Sequence, residues 1–307
     1  MDEIRKLYPD ATSLIGIIGA GRLGSSLALA LTAAGRRVVS ATTTSLKRQL
    51  LLRSAIPDVL ITENVSVLIN LSDVVFVTCP DRVIGDLTAS QQWRPKQTII
   101  HCSGALSLDA LSAVRQLGAV AGSFHPIQTF PSPGSAQNFA KVTFGIEADE
   151  PNVMGYLNLL ASGLGGESVP IPTGHRDAYH ASAVMSSGLI SAWLGVAADM
   201  WSLFGYERHE ALRALSPLIT STAQAVVSRG VPASITGPYV RGDVETVATH
   251  IKATSSAGVD VARAYAAMAL ATINVAAEQG GLGEDSQRQI EMILNEALKT
   301  SSVDQKS

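Results

Sequence analysis

Residues Leu14-Ile15-Gly16-Ile17-Ile18-Gly19-Ala20-Gly21-Arg22-Leu23-Gly24 decide the fold. The apolar run ending at Ile18 has the composition of a strand buried on both faces, and glycines in a G-x-G-x-x-G spacing follow it at once. Residues 25–34 then repeat apolar side chains with helical period, and Gly35 precedes a second β-rich run. Strand, turn, helix and strand in this order describe one parallel β-α-β unit.

Outward from this unit, the same alternation continues to about Pro172. Strand candidates are 14–18, 37–42, 59–62, 74–78, 98–102, 120–124, 142–146 and 168–171, with helix-like segments between them. They read as parallel strands covered on both faces. After Pro170, Pro172 and Gly174 the pattern changes to helical runs at 177–204, 207–228, 244–253, 258–278 and 286–299. The expectation is an α/β domain over 1–172, with a mostly parallel sheet, followed by an all-α domain over 173–307.

Within the first turn, Gly19 permits the tight bend, Gly21 lets the backbone approach a pyrophosphate, and Gly24 lets helix and strand pack closely. Together with Ala20, Arg22 and Leu23 these residues form a dinucleotide-binding turn, because the unpaired amides of a helix start meet the phosphate charge. At the end of the second strand, where NAD-binding domains place an acidic residue, stand Thr42, Thr43, Thr44 and Ser45, with Lys47 and Arg48 beyond. Hydroxyls and cations suit a 2′-phosphate, so the expected cofactor is NADP. The alternative is that Lys47 and Arg48 form the solvated first turn of a helix.

Ligands of open parallel sheets bind outside the carboxyl ends of the strands. This rule selects Cys79, Pro80 and Asp81, then His101, Cys102, Ser103 and Gly104, then His125 to Gln128. Cys79, Pro80, Asp81 and Ser103 are expected near the cofactor, with capping of the following helix a competing role for Asp81.

The composition narrows the class of protein. The net charge of −3 and the lack of a basic stripe argue against a nucleic-acid partner. Two cysteines, both in apolar runs, suit a reducing compartment and make a disulfide framework improbable. No metal-ligand spacing is present. Met1-Asp2-Glu3 opens no signal peptide, so the expected location is cytoplasmic. The stretch 187–205 approaches the length of a membrane span, but Asp199 interrupts it and small residues dilute it, so it is read as a buried helix.

Taken together, Gly19 to Gly24, His101 to Leu106, Ser123 to Phe130, Tyr179-His180-Ala181 and Thr236 to Asp243 resemble the Rossmann-like NADP oxidoreductases that carry a C-terminal helical domain of unknown function (domain of unknown function 2520). More distantly the chain is similar to ketopantoate and pyrroline-5-carboxylate reductases, prephenate dehydrogenases and β-hydroxyacid dehydrogenases. The resemblance implies a Rossmann domain, NADP, and a helical domain that often dimerises. It also marks departures. β-Hydroxyacid dehydrogenases carry a Lys and a following Asn on the first long helix of the second domain, where this chain has His180, Ser186, Ser187 and Gly188. The nearer family is expected to place an Asn near Gly188.

Hydride transfer leaves a proton to be given or taken at the substrate, which calls for an acid or base titrating near neutrality. His125, at a carboxyl strand end, and His180, near the start of the long helix, are the candidates. Each has a structural alternative, His125 as the residue fixing the His-Pro turn and His180 as a buried histidine. Arg241 offers a planar fork of donors for an anionic group, and Asp243 suits an N-cap. The expected activity is NADP(H)-dependent hydride transfer to or from a small carbonyl or imine. The competing reading is a non-catalytic NADP(H)-binding sensor. A homodimer through the helical domain is expected, with no nucleic-acid or membrane partner.

Overall fold

The computed structural model describes residues 8–132 and 139–300. Strands β1 Leu14–Ile18, β2 Arg37–Ala41, β3 Leu60–Ile61, β4 Val74–Val77, β5 Thr98–His101, β6 Val120–Pro126, β7 Thr143–Ala148 and β8 Glu167–Pro170 form one sheet in the order β3-β2-β1-β4-β5-β6-β7-β8. Helices α1 Arg22–Ala33, α2 Leu46–Ala55, α3 Val65–Leu71, α4 Asp81–Ala89, α5 Ser112–Gln116 and α6 Pro151–Gly163 connect them. The order reverses direction at β1 and β4, so the ligand crevice falls outside the carboxyl ends of those strands.

Strands β4 and β5 are buried at every residue, as their unbroken Val/Ile/Phe runs require. One core gathers α1 and α6 around Ile15, Phe76, Phe124 and Phe144 on one face. The other packs α3, α4 and α5 around Ile18, Val75, Val77 and Ile99. At ~1.5–3 kcal/mol for each large apolar side chain removed from water, these two layers dominate the stability of the sheet.

One pairing departs from the expected parallel arrangement. β6 and β7 run antiparallel, with Phe124 opposite Ile146 and His125 opposite Gly145. Among the described residues no crossover helix joins them, and a parallel pair requires such a crossover.

The chain divides into two compact units between Ser187 and Gly188, beyond Pro172 where the strand pattern stops. Helix α7 Arg176–Val184 lies within the first unit, and a π-helical turn, Met185–Leu189, spans the division. The second unit is helical, with Ile190–Asp199, Arg208–Arg229, Val244–Ala257, Val259–Ala277 and Glu284–Thr300 as its longer elements. Its core comprises Val247, Ala266, Ala269, Ile273, Ile290 and Leu294.

The stretch read as a buried helix is instead largely exposed in the single chain. Over Arg176–Phe204, with hydropathy 1.5, only 6% of the most apolar window is buried. Met185, Leu189, Ile190, Leu203 and Phe204 all face outward. Apolar composition reports that a surface avoids water and does not say which surface covers it. Asp199 is paired to Arg208 through two contacts of 2.6 and 2.5 Å, which accounts for the charge at the end of this apolar run.

Candidate active site and dinucleotide cleft

Gly19 turns the chain out of β1 with φ +85, and a Cβ at this position would lie 2.6 Å from Cys79 Sγ. Its amide donates to Thr42 Oγ1 at 2.8 Å, and the Ala20 amide donates to the Thr42 carbonyl at 2.7 Å, so the turn is tied to the end of β2. Gly24 is buried, and a Cβ there would collide with Thr78 Oγ1 and lie 2.7 Å from the Gly19 carbonyl. These contacts are the close helix–strand approach expected of the third glycine. A Cβ at Gly21 would meet only the Gly19 carbonyl, at 3.7 Å, which leaves that backbone open to a ligand.

Helix α1 starts at Arg22, and its N-cap, Gly21, supplies no side-chain cap; no acidic residue stands in the first turn. Amides of a first helical turn have no intrahelical acceptor, so they remain available to an anion. Beside them lies a cleft of about 350 Å³ lined by Gly19, Ala20, Gly21, Thr42, Thr43, Thr44, Arg48, Glu63, Val65, Thr78, Cys79 and Pro80. Glycine turn, open helix start and hydroxyl-lined far wall fit an NADP-type dinucleotide.

Two details of the expectation change. Lys47 is exposed and does not line the cleft, whereas Arg48, one position on and therefore about 100° around α2, does. A carboxylate, Glu63, also reaches the cleft, from the end of β3. Ser45 is the N-cap residue of α2, without a side-chain capping bond. Arg22 is exposed, and Leu23 packs against the core.

Asp81 is the first residue of α4 and does not act as its N-cap, a position held by Pro80. Its carboxylate accepts a 2.7 Å hydrogen bond from the Ser103 hydroxyl, which in turn accepts from the amides of Ala105 and Leu106. The link joins the loop after β4 to the loop after β5. From there the rim continues, because Gly104 sits directly against His125 and His180. A Cβ on Gly104 would be 2.7 Å from His125 Nε2 and 2.7 Å from His180 Cδ2.

At this end of the rim three side chains converge. His125 Nδ1 and the Tyr179 hydroxyl are 2.6 Å apart, and the rings of His125 and His180 lie 6.2 Å apart at 76°. Gly145, opposite His125 on β7, makes room for Tyr179, whose ring a Cβ there would strike. Beneath them lies Arg176, 4% exposed. It donates from Nε to the Gly104 carbonyl at 3.1 Å, from Nη2 to the Ser103 carbonyl at 2.5 Å and to the Ser123 hydroxyl, while Nη1 stands 3.6 Å from Glu147.

Arg176, Tyr179 and His180 share one face of α7 through their i, i+3, i+4 spacing. That spacing was readable in Arg176-Asp177-Ala178-Tyr179-His180, yet it assigns no partner. The roles of Arg176, Tyr179 and Glu147 follow only from what the helix packs against.

Burial, the Arg176 charge and His180 push the His125 imidazole down to about 4, so at neutral pH it is uncharged. Burial also raises the Tyr179 phenol above its ordinary value. His101, placed by the strand-end rule among the ligand contacts, is instead the last residue of β5 and has no exposure. Burial and Arg176 push it down to about 3. Cys102 is buried and its thiol is pushed far up, which makes it inert.

Arg241 is exposed and ends the short helix Pro238–Arg241 in the second unit. Asp243 is an N-cap there, accepting from the Thr246 amide at 3.0 Å and from its hydroxyl at 2.7 Å. His250 Nδ1 meets the Tyr265 hydroxyl at 2.8 Å, and Tyr239 donates to Tyr265 at 2.6 Å.

Residues 4–126 match the family model for a Rossmann-like domain, and residues 142–272 match the model for a domain of unknown function, DUF2520. No curated protein matches the sequence. Among solved structures, the chain is similar to BF3122 from Bacteroides fragilis, provisionally named an NADP oxidoreductase, at TM-score 0.68 and 21% identity, covering 86% of this chain and 99% of that one. It is similar to protein TM1727 from Thermotoga maritima at TM-score 0.68 and 23% identity, covering 85% and 99%. Plasmodium falciparum pyrroline carboxylate reductase, solved with NADP bound, aligns at TM-score 0.59 and 13% identity, covering 93% and 99%. The chain thus matches the Rossmann-like and DUF2520 models over successive stretches and shares its fold with all three structures.

Proposed function

We propose that the protein is an NADP(H)-dependent oxidoreductase that transfers a hydride to or from a small carbonyl or imine compound. The observation that carries this reading is the continuous rim along the carboxyl ends of β1, β4, β5 and β6. It runs from the glycine turn through Cys79, the Asp81–Ser103 bond and Gly104 to His125, Tyr179 and His180.

Gly19 to Gly24 and the first-turn amides of α1 hold the pyrophosphate, and Thr42 to Thr44 with Arg48 hold the adenosine end. When bound, the nicotinamide supplies or accepts the hydride. The Tyr179 hydroxyl donating to His125 Nδ1 leaves Nε2–H directed at the Gly104 side, where it orients a substrate oxygen or nitrogen. With Nδ1 protonated instead, Nε2 is the acceptor. In the reductive direction Nε2–H gives its proton to the substrate oxygen or nitrogen while the Tyr179 hydroxyl passes its own to Nδ1, and in the oxidative direction the neutral ring takes the proton back. Arg176 acts on the substrate only indirectly, by fixing the Ser103–Gly104 carbonyls on which the histidines rest.

Further parts of the proposal are a homodimer through the helical unit, supported by the outward-facing Ile190, Leu203 and Phe204, and a cytoplasmic location. Arg241 is proposed to hold an anionic group.

The test is NADPH oxidation by the full-length protein against a panel of 2-oxo acids, aldehydes and cyclic imines, with His125→Ala and Tyr179→Phe in parallel. A working general acid or base contributes ~10² to 10⁴ in rate, so the His125 variant should lose at least ~100-fold. Tight NADPH binding without turnover on any member of the panel favours the sensor reading instead.

A further inference from the structure

We propose that the cofactor cleft reads the adenosine ribose from two sides, Arg48 taking a 2′-phosphate and Glu63 taking an unphosphorylated 2′-hydroxyl, so that the protein binds NADPH and NADH alike and Glu63 limits its preference for the former. The inference rests on the reading of the glycine turn as a dinucleotide site.

The end of β2 carries hydroxyls and no acid, which by itself favours NADP. The fold adds a carboxylate from the neighbouring strand. β2 and β3 pair in parallel with Ala41 opposite Ile61, so Thr42–Thr44 and Thr62–Glu63 leave the sheet side by side. Arg48 and Glu63 both line the cleft with these threonines, Arg48 half-buried and Glu63 exposed. The loop between them is already held, since the Ser45 amide donates to Thr43 Oγ1 at 3.3 Å and the Gln49 side chain donates to the Thr43 carbonyl at 3.2 Å. Among the described residues the ion pairs include neither Arg48 nor Glu63. Each charge is therefore free to meet a ligand.

A 2′-phosphate carries about −1.5 to −2 charges at neutral pH. Arg48 attracts it through a planar fork of donors, and Glu63 repels it. A 2′-hydroxyl reverses the balance: the carboxylate accepts its hydrogen bond, as an acidic residue does in NAD-binding domains, and Arg48 gains nothing. The two residues thus oppose each other on one discrimination.

Dissociation constants of NADPH and NADH, measured by calorimetry on the full-length protein and its variants, test this. The wild type should bind both within about tenfold. Glu63→Gln should tighten NADPH and weaken NADH, moving their ratio by roughly tenfold or more, since bonds to a charged group are the strong ones. Arg48→Ala should weaken NADPH by roughly tenfold or more and leave NADH within about twofold. Glu63→Ala repeats the first measurement, and melting temperatures check that each variant is folded. A ratio that moves less than about twofold in both Glu63 variants overturns the proposal, as does a wild-type preference for NADPH above about tenfold. If the wild type binds neither nucleotide, the dinucleotide reading itself has failed, a different result from a ratio that ignores Glu63.

Discussion

Replacing Arg176 by Met removes a buried guanidinium that three hydrogen bonds and one carboxylate hold in place. The Ser103 and Gly104 carbonyls and the Ser123 hydroxyl lose their donor, and Glu147 loses its nearby cation. Hydrogen bonds to a charged group contribute ~1.5–3 kcal/mol each. They are not additive, and breaking a buried charged pair from one side costs about 3–5 kcal/mol, which is the figure expected here. For a unit of 187 residues, each kcal/mol moves the midpoint by roughly 2–4 °C, so a fall of about 10 °C is expected. The same substitution withdraws a positive charge that lowers His125, so its imidazole should titrate above about 4. Thermal unfolding by circular dichroism measures the first effect, and the His125 ring-proton shift against pH measures the second. Arg176→Met combined with Glu147→Gln should recover part of the loss, because the stranded carboxylate is gone. An Arg176→Met protein that melts within about 2 °C of wild type, with an unmoved His125 titration, would refute the reasoning.

Gly104→Ala should lower turnover by at least ~10-fold while costing only about 1–3 kcal/mol of stability, since the new methyl displaces the His125 and His180 rings that now stand 2.7 Å from it; steady-state kinetics and melting decide. Gly19→Ala, at φ +85 and against Cys79 Sγ, should weaken NADPH by roughly tenfold or more, and a calorimetric Kd equal to wild type would count against the turn as a phosphate cradle. The pH dependence has a definite sign. His101 and His125 are held near 3 and 4 in the folded protein, below the ordinary 6.5, so the unfolded chain takes up protons first as the medium is acidified. Their contribution is fully present above about pH 6.5 and is lost as pH falls toward 3 to 4. At ~1.4 kcal/mol per pH unit His101 alone accounts for roughly 4–5 kcal/mol, so urea midpoints that stay flat from pH 7 to 4.5 contradict the assignment.

The strand–turn–helix unit was legible because its signals are local. Glycines at fixed offsets after an apolar run specify a turn wherever that run is a strand, and Gly19, Gly21 and Gly24 take the expected places. The helices of the second unit followed equally from periodicity. Tertiary packing alone decided the antiparallel β6–β7 pair, because pairing direction depends on the connection between strands. Packing also put Arg48 rather than Lys47 in the cleft, since one residue along a helix changes the face by about 100°. Glu63 came into that cleft through strand pairing, which no local pattern of residues 60–63 expresses. His125 was visible as a candidate by its strand-end position. That it is neutral, bonded to Tyr179 and seated above Arg176 depends on charges from β6, α7 and β7 meeting in one buried place, and electrostatic interaction acts through space without regard to order along the chain.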